Sequence, residues 1–381
     1  MAEIPSELAR LLQPPGDYDA RPVVEFLVRL GLEEAASDLH LRPTDQGVEI
    51  LLRCDGVLQP RFLLPADVYP RLLVGLKNMA RLASYRKSVP QDGQLRLDGR
   101  DVRVATAPSY FGEKVVLRLI HSPEGRRSLA QLGLPAGDLQ RIQRMVQEPQ
   151  GLLLAVGPAG SGKTTTLYAA LEWLYHHRPH GSTLNVVTLE DPVEIVVPEF
   201  TQTQIQPGMG MTFASGLRSL LRQDPEVILV GEIRDEETAS AAIQCGLTGH
   251  LVVSTLHARD SVGVIPRLLE LGVQPYLLSA CLVGVIYQRL LRRLCEKCGS
   301  EGCPECRGTG FRGRLAVAEL LELDEELRQG ILDRAPLQRL RERAWEGGTV
   351  PLRTAALQRV TAGETTLEEV DRVIPREAAR G

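Results

Sequence analysis

Gly157-Pro158-Ala159-Gly160-Ser161-Gly162-Lys163-Thr164 follows an apolar run, Leu152 to Val156, and leads into Thr165–Trp173, a segment of good helix formers. Strand, glycine loop and helix at the spacing G-x-x-x-x-G-K-T form a phosphate-binding loop in its proper context. The glycines let successive backbone N–H groups converge on phosphate oxygens, and the helix N-terminus adds its partial positive charge. Lys163 can reach the β- and γ-phosphates, and the Thr164 hydroxyl can sit on Mg²⁺. The stretch predicts a nucleoside triphosphate site built from Gly157, Pro158, Ala159, Gly160, Ser161, Gly162, Lys163, Thr164 and Thr165.

A chain of 381 residues has room for two or three domains. Its net charge of -4, with six Phe, two Trp and eight Tyr, argues against nucleic acid as the main ligand. No apolar run reaches the roughly 18–20 residues of a membrane span. The longest, Tyr276 to Tyr287, suits a packed helix better. The N-terminus lacks the basic-then-apolar layout of a signal peptide, so a cytoplasmic location is expected.

Residues 1–20 read as a helical lead-in and linker. Residues 21–120 read as a mixed α+β domain: a helix over Arg21–Glu34, strands at Asp38–Leu41, Val48–Cys54 and Val57–Leu63, a helix over Asp67–Ala83, then three more strands. The breaker-rich stretch 121–128 is the expected interdomain linker. From 129 to 290 the pattern alternates, with buried parallel strands at Asn185–Leu189, Val227–Val230 and Leu251–Ser254. That predicts a RecA-like α/β core with helices on both faces. Residues 291–315 form a cysteine module, and 316–381 read as a helical C-terminal region.

Three further constellations carry chemistry. Val230-Gly231-Glu232-Ile233-Arg234-Asp235 ends an apolar strand in an acid, where NTPases hold Mg²⁺ or orient the attacking water, and makes Glu232 the general-base candidate. Thr188-Leu189-Glu190-Asp191-Pro192 places Glu190 at another strand end, either as a second water- or metal-orienting carboxylate or within a solvated Asp-Pro turn. Cys295, Cys298, Cys303 and Cys306 are spaced C-x₂-C-x₄-C-x₂-C, a set of four thiolates for one tetrahedral structural Zn²⁺. Cys54, Cys245 and Cys281 read as core fillers.

Together with Ala36-Ser37-Asp38-Leu39-His40, Arg53-Cys54-Asp55-Gly56-Val57, the run from Thr212 to Pro225, Thr248-Gly249-His250, Ser254-Thr255-Leu256-His257-Ala258 and Phe311-Arg312-Gly313-Arg314, these segments resemble the secretion ATPase superfamily. Within it the match is to the type II secretion and type IV pilus assembly ATPases, over about residues 20 to 375. The resemblance implies a PAS-like first domain and a catalytic Glu232 normally preceded by Gly. It implies ATP and Mg²⁺ as cofactors, Arg103 and Arg118 reaching over the nucleotide from the first domain, and His257 as a γ-phosphate sensor with His250 structural. Arg218, Arg222 and Arg234 match positions that serve either nucleotide contact or a subunit interface. The resemblance further implies a homohexamer working on an inner-membrane platform from the cytoplasmic side. Pilus retraction ATPases generally lack the tetracysteine module, so its presence favours assembly. Relatives often carry a further N-terminal docking domain; only residues 1–20 precede the first domain here, so another recruiting surface is expected. The rival readings are a nucleic-acid motor, a retraction ATPase and an inactive nucleotide-binding scaffold.

Overall fold

The structure, a computed structural model, describes residues 3–14, 17–97, 99–119, 126–178 and 183–375. It divides into two compact units, residues 1–125 and 126–381. Most of the expected 121–128 linker lies outside the described residues.

The first unit runs α1 (Ser6–Leu11), α2 (Ala20–Glu33), β1 (Asp38–Pro43), β2 (Val48–Cys54), β3 (Val57–Leu64), α3 (Tyr69–Met79), β4 (Gln91–Leu97), β5 (Arg100–Ser109) and β6 (Gly112–Leu119). Its six strands form an antiparallel sheet in the order β3-β2-β1-β6-β5-β4. Asp55 and Gly56 both take positive φ (49° and 81°), as a two-residue hairpin turn matched to strand twist requires. The lead-in is no loose linker: Leu8, Leu12 and Tyr18 are buried in the same core as α2 and the sheet.

Several ionisable groups are buried in this unit, among them Lys77, Glu113 and His40. Lys77 Nζ lies 2.6 Å from Glu113 Oε1, both side chains being almost fully enclosed. His40, on β1, has both ring nitrogens buried without a hydrogen-bond partner. Burial, reinforced by the charges of Lys114 and Arg53 and opposed by Asp38, pushes its imidazole down from 6.5 to about 4. As pH falls below 6.5 the unfolded chain takes up this proton before the folded one does, so stability is lost in that window. Between pH 7.5 and 5 the loss from His40 is expected to be about 2 kcal/mol. Thermal unfolding of His40→Leu should lack this share of the acid sensitivity; an unchanged pH profile would remove His40 as its source.

The second unit begins with α4 (Ala136–Gln147), β7 (Gly151–Val156), α5 (Lys163–His176), β8 (Val186–Glu190), β9 (Thr201–Gln204), α6 (Phe213–Leu220), β10 (Val227–Val230), α7 (Glu236–Leu247) and β11 (Leu251–Leu256). It continues through α8 (Val264–Glu270), α9 (Pro275–Cys281), β12 (Leu282–Leu294), β13 (Phe311–Glu322), α10 (Glu325–Leu332), α11 (Leu337–Glu346), α12 (Leu352–Thr361) and α13 (Leu367–Val373). One seven-stranded sheet, β13-β12-β7-β11-β10-β8-β9, organises all of it. β7 lies inside it, between β12 and β11, and feeds two cores. Leu152, Leu154 and Val156 face one; Leu153 and Ala155 face the other. That alternation is why the strand reads as an unbroken apolar run.

Three expectations are corrected. Tyr276–Tyr287 is not one packed helix, because α9 ends at Cys281 and β12 starts at Leu282. Residues 316–322 are strand rather than helix, and β13 pairs antiparallel with β12 from Leu294↔Phe311 to Gly284↔Glu322. The sheet therefore runs through the boundaries expected at 290/291 and 315/316. The cysteines sit at the far end of a hairpin whose arms belong to the central sheet. The C-terminal helices share its core through Leu327, Ile331, Leu340, Ala344, Leu352, Ala356 and Val370. Gly330 lies inside α10, where an added Cβ would come 2.7 Å from Leu340 Cδ2.

Candidate functional site

Strands β7, β11, β10 and β8 are neighbours and mutually parallel. Their C-terminal ends consequently line one edge, where open α/β sheets bind ligands. The glycine loop follows β7, Glu190 closes β8, Glu232 lies two residues beyond β10, and His257 follows β11.

The loop has the shape of a phosphate cradle. Gly160 and Gly162 hold φ of 74° and 86°, open to glycine at little cost. Ser161 Oγ is buried there without a hydrogen-bond partner, a polar atom that an anionic oxygen would satisfy. Lys163 Nζ donates to the Gly157 and Pro158 carbonyls at 2.9 and 3.0 Å. Burial lowers the Lys163 pKa, while the charges of Glu232 and Glu194 oppose that shift. The residues present fit a triphosphate, with Thr164 and Thr165 in the first turn of α5.

Glu232 is gripped on both oxygens. Arg234 Nε donates to Oε2 at 2.8 Å, and His257 Nε2 lies 3.1 Å from Oε1. Gly231 before it has a steric reason. An added Cβ would meet the Leu189 carbonyl at 3.3 Å and Glu190 Cα at 3.5 Å, so a larger residue at that position would press on the end of β8. Asp235 caps α7, accepting from Thr238 N at 2.8 Å. Glu190 is 3% exposed, and its Oε1 accepts from Tyr168 OH and Thr188 Oγ1, both at 2.6 Å, and from Gln202 Nε2 at 3.3 Å. Burial and the Glu190 charge push the Tyr168 phenol far up, keeping it a donor.

The structure thus gathers Lys163, Glu190, Glu232, Arg234 and His257 along one sheet edge. Arg218 and Arg222 have partners of their own. Arg218 pairs with Glu237 at 3.0 Å, and Arg222 donates to the Arg218 carbonyl at 3.0 Å. Arg103 and Arg118 belong to the first unit, directly opposite each other on β5 and β6. Arg118 also lies 3.0 Å from Asp38. His250 bonds the Cys245 carbonyl at 3.1 Å, which anchors the turn after α7. Tyr168, Thr188 and Gln202 escape a reading of the sequence, because nothing local marks an ordinary Tyr, Thr or Gln as a partner of Glu190.

At the end of the β12–β13 hairpin the four cysteine sulfurs lie within 4.8 Å of one another. A tetrahedral zinc about 2.3 Å from each thiolate spaces its sulfurs at about 3.8 Å. Cys295 and Cys303 Sγ are 3.8 Å apart, and Cys298 and Cys306 Sγ 3.6 Å. Burial opposes thiolate formation at Cys306, but backbone N–H groups of Cys303 and Gly310 prevail and bring it down to about 6. The cluster is therefore able to hold a metal ion. Among the described residues it is the one such group, and no helix is long and apolar enough to cross a membrane.

Fold and site together define a P-loop ATPase with its nucleotide apparatus on the C-terminal edge of a mostly parallel sheet. The chain belongs to the type II/IV secretion system protein family, whose model matches residues 18–372. It is 41% identical to the type II secretion system ATPase E of Vibrio cholerae, over 95% of this chain and 77% of that protein. It is 38% identical to the type IV pilus assembly ATPase TfpB of Acinetobacter baylyi, over 93% of this chain and 65% of that one. The crystal structure of the pilus retraction motor PilT with bound ADP covers 92% of this chain and 97% of its own at 26% identity, with a TM-score of 0.65.

Proposed function

We propose that this chain is a Mg²⁺-dependent ATPase that works as a homohexamer at a membrane platform, adding subunits to a type IV pilus or a type II secretion pseudopilus. The observation that carries the reading is the meeting of Lys163, Glu190, Glu232 and His257 on one sheet edge in a chain of this family. In the mechanism, Gly157 to Thr165 wrap the phosphates, and Thr164 would hold a Mg²⁺ that neutralises phosphate charge. Glu232 accepts the proton of the attacking water, each of its oxygens keeping a lone pair beyond its present partner. Glu190 orients water or metal through the oxygen that does not face Tyr168. His257, next to Glu232, reads the γ-phosphate and reports its loss.

Arg103 and Arg118 supply positive charge that phosphoryl transfer draws on, and Arg218, Arg222 and Arg234 either do the same or bind neighbouring subunits. Structural zinc in the Cys295, Cys298, Cys303 and Cys306 cluster favours assembly over retraction. The greater likeness to the secretion and assembly ATPases than to the retraction motor points the same way.

Steady-state ATP hydrolysis should be measured over a range of protein concentrations, with and without single- and double-stranded DNA. Specific activity that rises with protein concentration and ignores DNA is expected for a ring. Strong stimulation by DNA that fades with salt would overturn the reading in favour of a nucleic-acid motor.

A further inference from the structure

We infer that Gln288, on β12, is a positioning residue for nucleotide: it holds the glycine loop in its phosphate-binding shape, and Thr166 orients its amide. Gln288 is 1% exposed, and its two amide atoms have separate jobs. Nε2 donates to the Ser161 carbonyl at 2.9 Å, while Oε1 accepts from Thr166 Oγ1 at 2.7 Å. Because the hydroxyl of fully buried Thr166 occupies Oε1, the NH₂ end must face the loop. A flipped amide would set oxygen against the Ser161 carbonyl.

The register explains the reach. Tyr287 pairs with Val156, the last residue of β7, so Gln288 lies level with the start of the loop. Packing is close there. A Cβ on Gly157 would come 2.6 Å from the Gln288 carbonyl oxygen, and one on Gly162 would come 2.7 Å from Nε2. A trans peptide carries its C=O and N–H on opposite sides. Pinning the Ser161 carbonyl against Gln288 therefore aims the Gly162 N–H the other way, toward the hollow that receives phosphate. Without the pin the 161–162 peptide loses its only side-chain anchor among the described contacts, and the loop must be ordered at the moment of binding. Pre-organisation of this kind appears in affinity more than in turnover.

This inference rests on the nucleotide reading of the loop, and the test separates the two. Mg²⁺ATP affinity, by calorimetry, and KM and kcat are compared for the parent chain, Gln288→Met, Thr166→Val and the double variant. Both substitutions keep side-chain size while removing the hydrogen bonds. Gln288→Met is expected to weaken ATP binding and raise KM about tenfold, with kcat within about threefold, the affinity lost with one such contact. Thr166→Val should lose less, and the double variant should match Gln288→Met, because Thr166 acts through Gln288. Thermal unfolding without nucleotide identifies any variant that loses affinity merely by unfolding. Should Gln288→Met not fold, Thr166→Val alone must still raise KM without lowering kcat. Parent-like affinity in the folded variants, or additive losses in the double, would overturn the inference alone. Failure of the parent chain to bind ATP would overturn the nucleotide reading beneath it.

Discussion

Glu232→Gln is expected to bind ATP as tightly as the parent chain and to hydrolyse it about 100-fold or more slowly, the scale of losing a positioned proton acceptor. The amide keeps the shape of the carboxylate and can still accept from Arg234, so the strand end after β10 should hold. Proton affinity is what it lacks. Binding is spared because the phosphate contacts come from the loop after β7 and from Lys163, two strands away in the sheet order. Removing the Glu232 charge withdraws one of the two carboxylates that oppose the burial of the Lys163 ammonium. Bound triphosphate replaces that support, so affinity is maintained where the empty loop is less favourable. The test is a pair of measurements: ATP affinity by calorimetry, and phosphate release in a single turnover at saturating ATP. Turnover within a few-fold of the parent would take Glu232 out of the mechanism and leave Glu190 as the carboxylate to examine.

Cys303→Ser is expected to take bound zinc from one ion per chain to none, as read by elemental analysis of the purified protein. The physical basis is the closed four-sulfur set, whose spacing already matches tetrahedral coordination. Structural zinc sites of this kind contribute about 10–16 kcal/mol of apparent binding energy in small zinc-finger peptides. Losing one ligand of four forfeits most of the affinity. The hairpin arms should survive, since β12 is flanked by β7 and β13 and Arg292 is tied to buried Glu369 at 2.8 Å. The damage is then confined to residues 295–310 and should appear as protease sensitivity there. A zinc-free protein with full activity and an intact hairpin end would sink the structural-metal proposal.

What could be read from residues alone divides along one physical line. The phosphate loop, the acid-ended strands and the cysteine pairs are local: their chemistry depends on spacing within about a dozen residues. β7 and β10 are also local in this sense, because burial on both faces writes an uninterrupted apolar run; β8 and β11 interrupt theirs only with Thr188, Glu190, Ser254 and Thr255. The edge strand β9, Thr201-Gln202-Thr203-Gln204, carries no such mark. Its residues are polar, and only pairing with β8 makes them strand.

Ala316-Val317-Ala318-Glu319-Leu320-Leu321-Glu322 is richer still in misleading cues. Ala, Leu and Glu are strong helix formers, and the segment is nonetheless strand because β12 offers a complete ladder and two cores to fill. The Glu319 carboxylate then accepts from Ser261 N and Oγ and from Leu352 N, contacts invisible to any local pattern. The same holds at the site. Glu190 and Glu232 are legible as candidates, whereas the Tyr168, Thr188 and Gln202 donors and the Gln288–Thr166 strut are not.

By itself the sequence determined the glycine loop, the candidate acids, the cysteine cluster and the family, since each is a short spacing of particular side chains. Only the tertiary structure decided that the cysteine module is the end of a hairpin in the ATPase sheet. It alone also decided which ordinary polar residues hold the acids and the loop in place, because those pairings depend on which strands lie side by side, and the Gln288 contacts span more than a hundred residues.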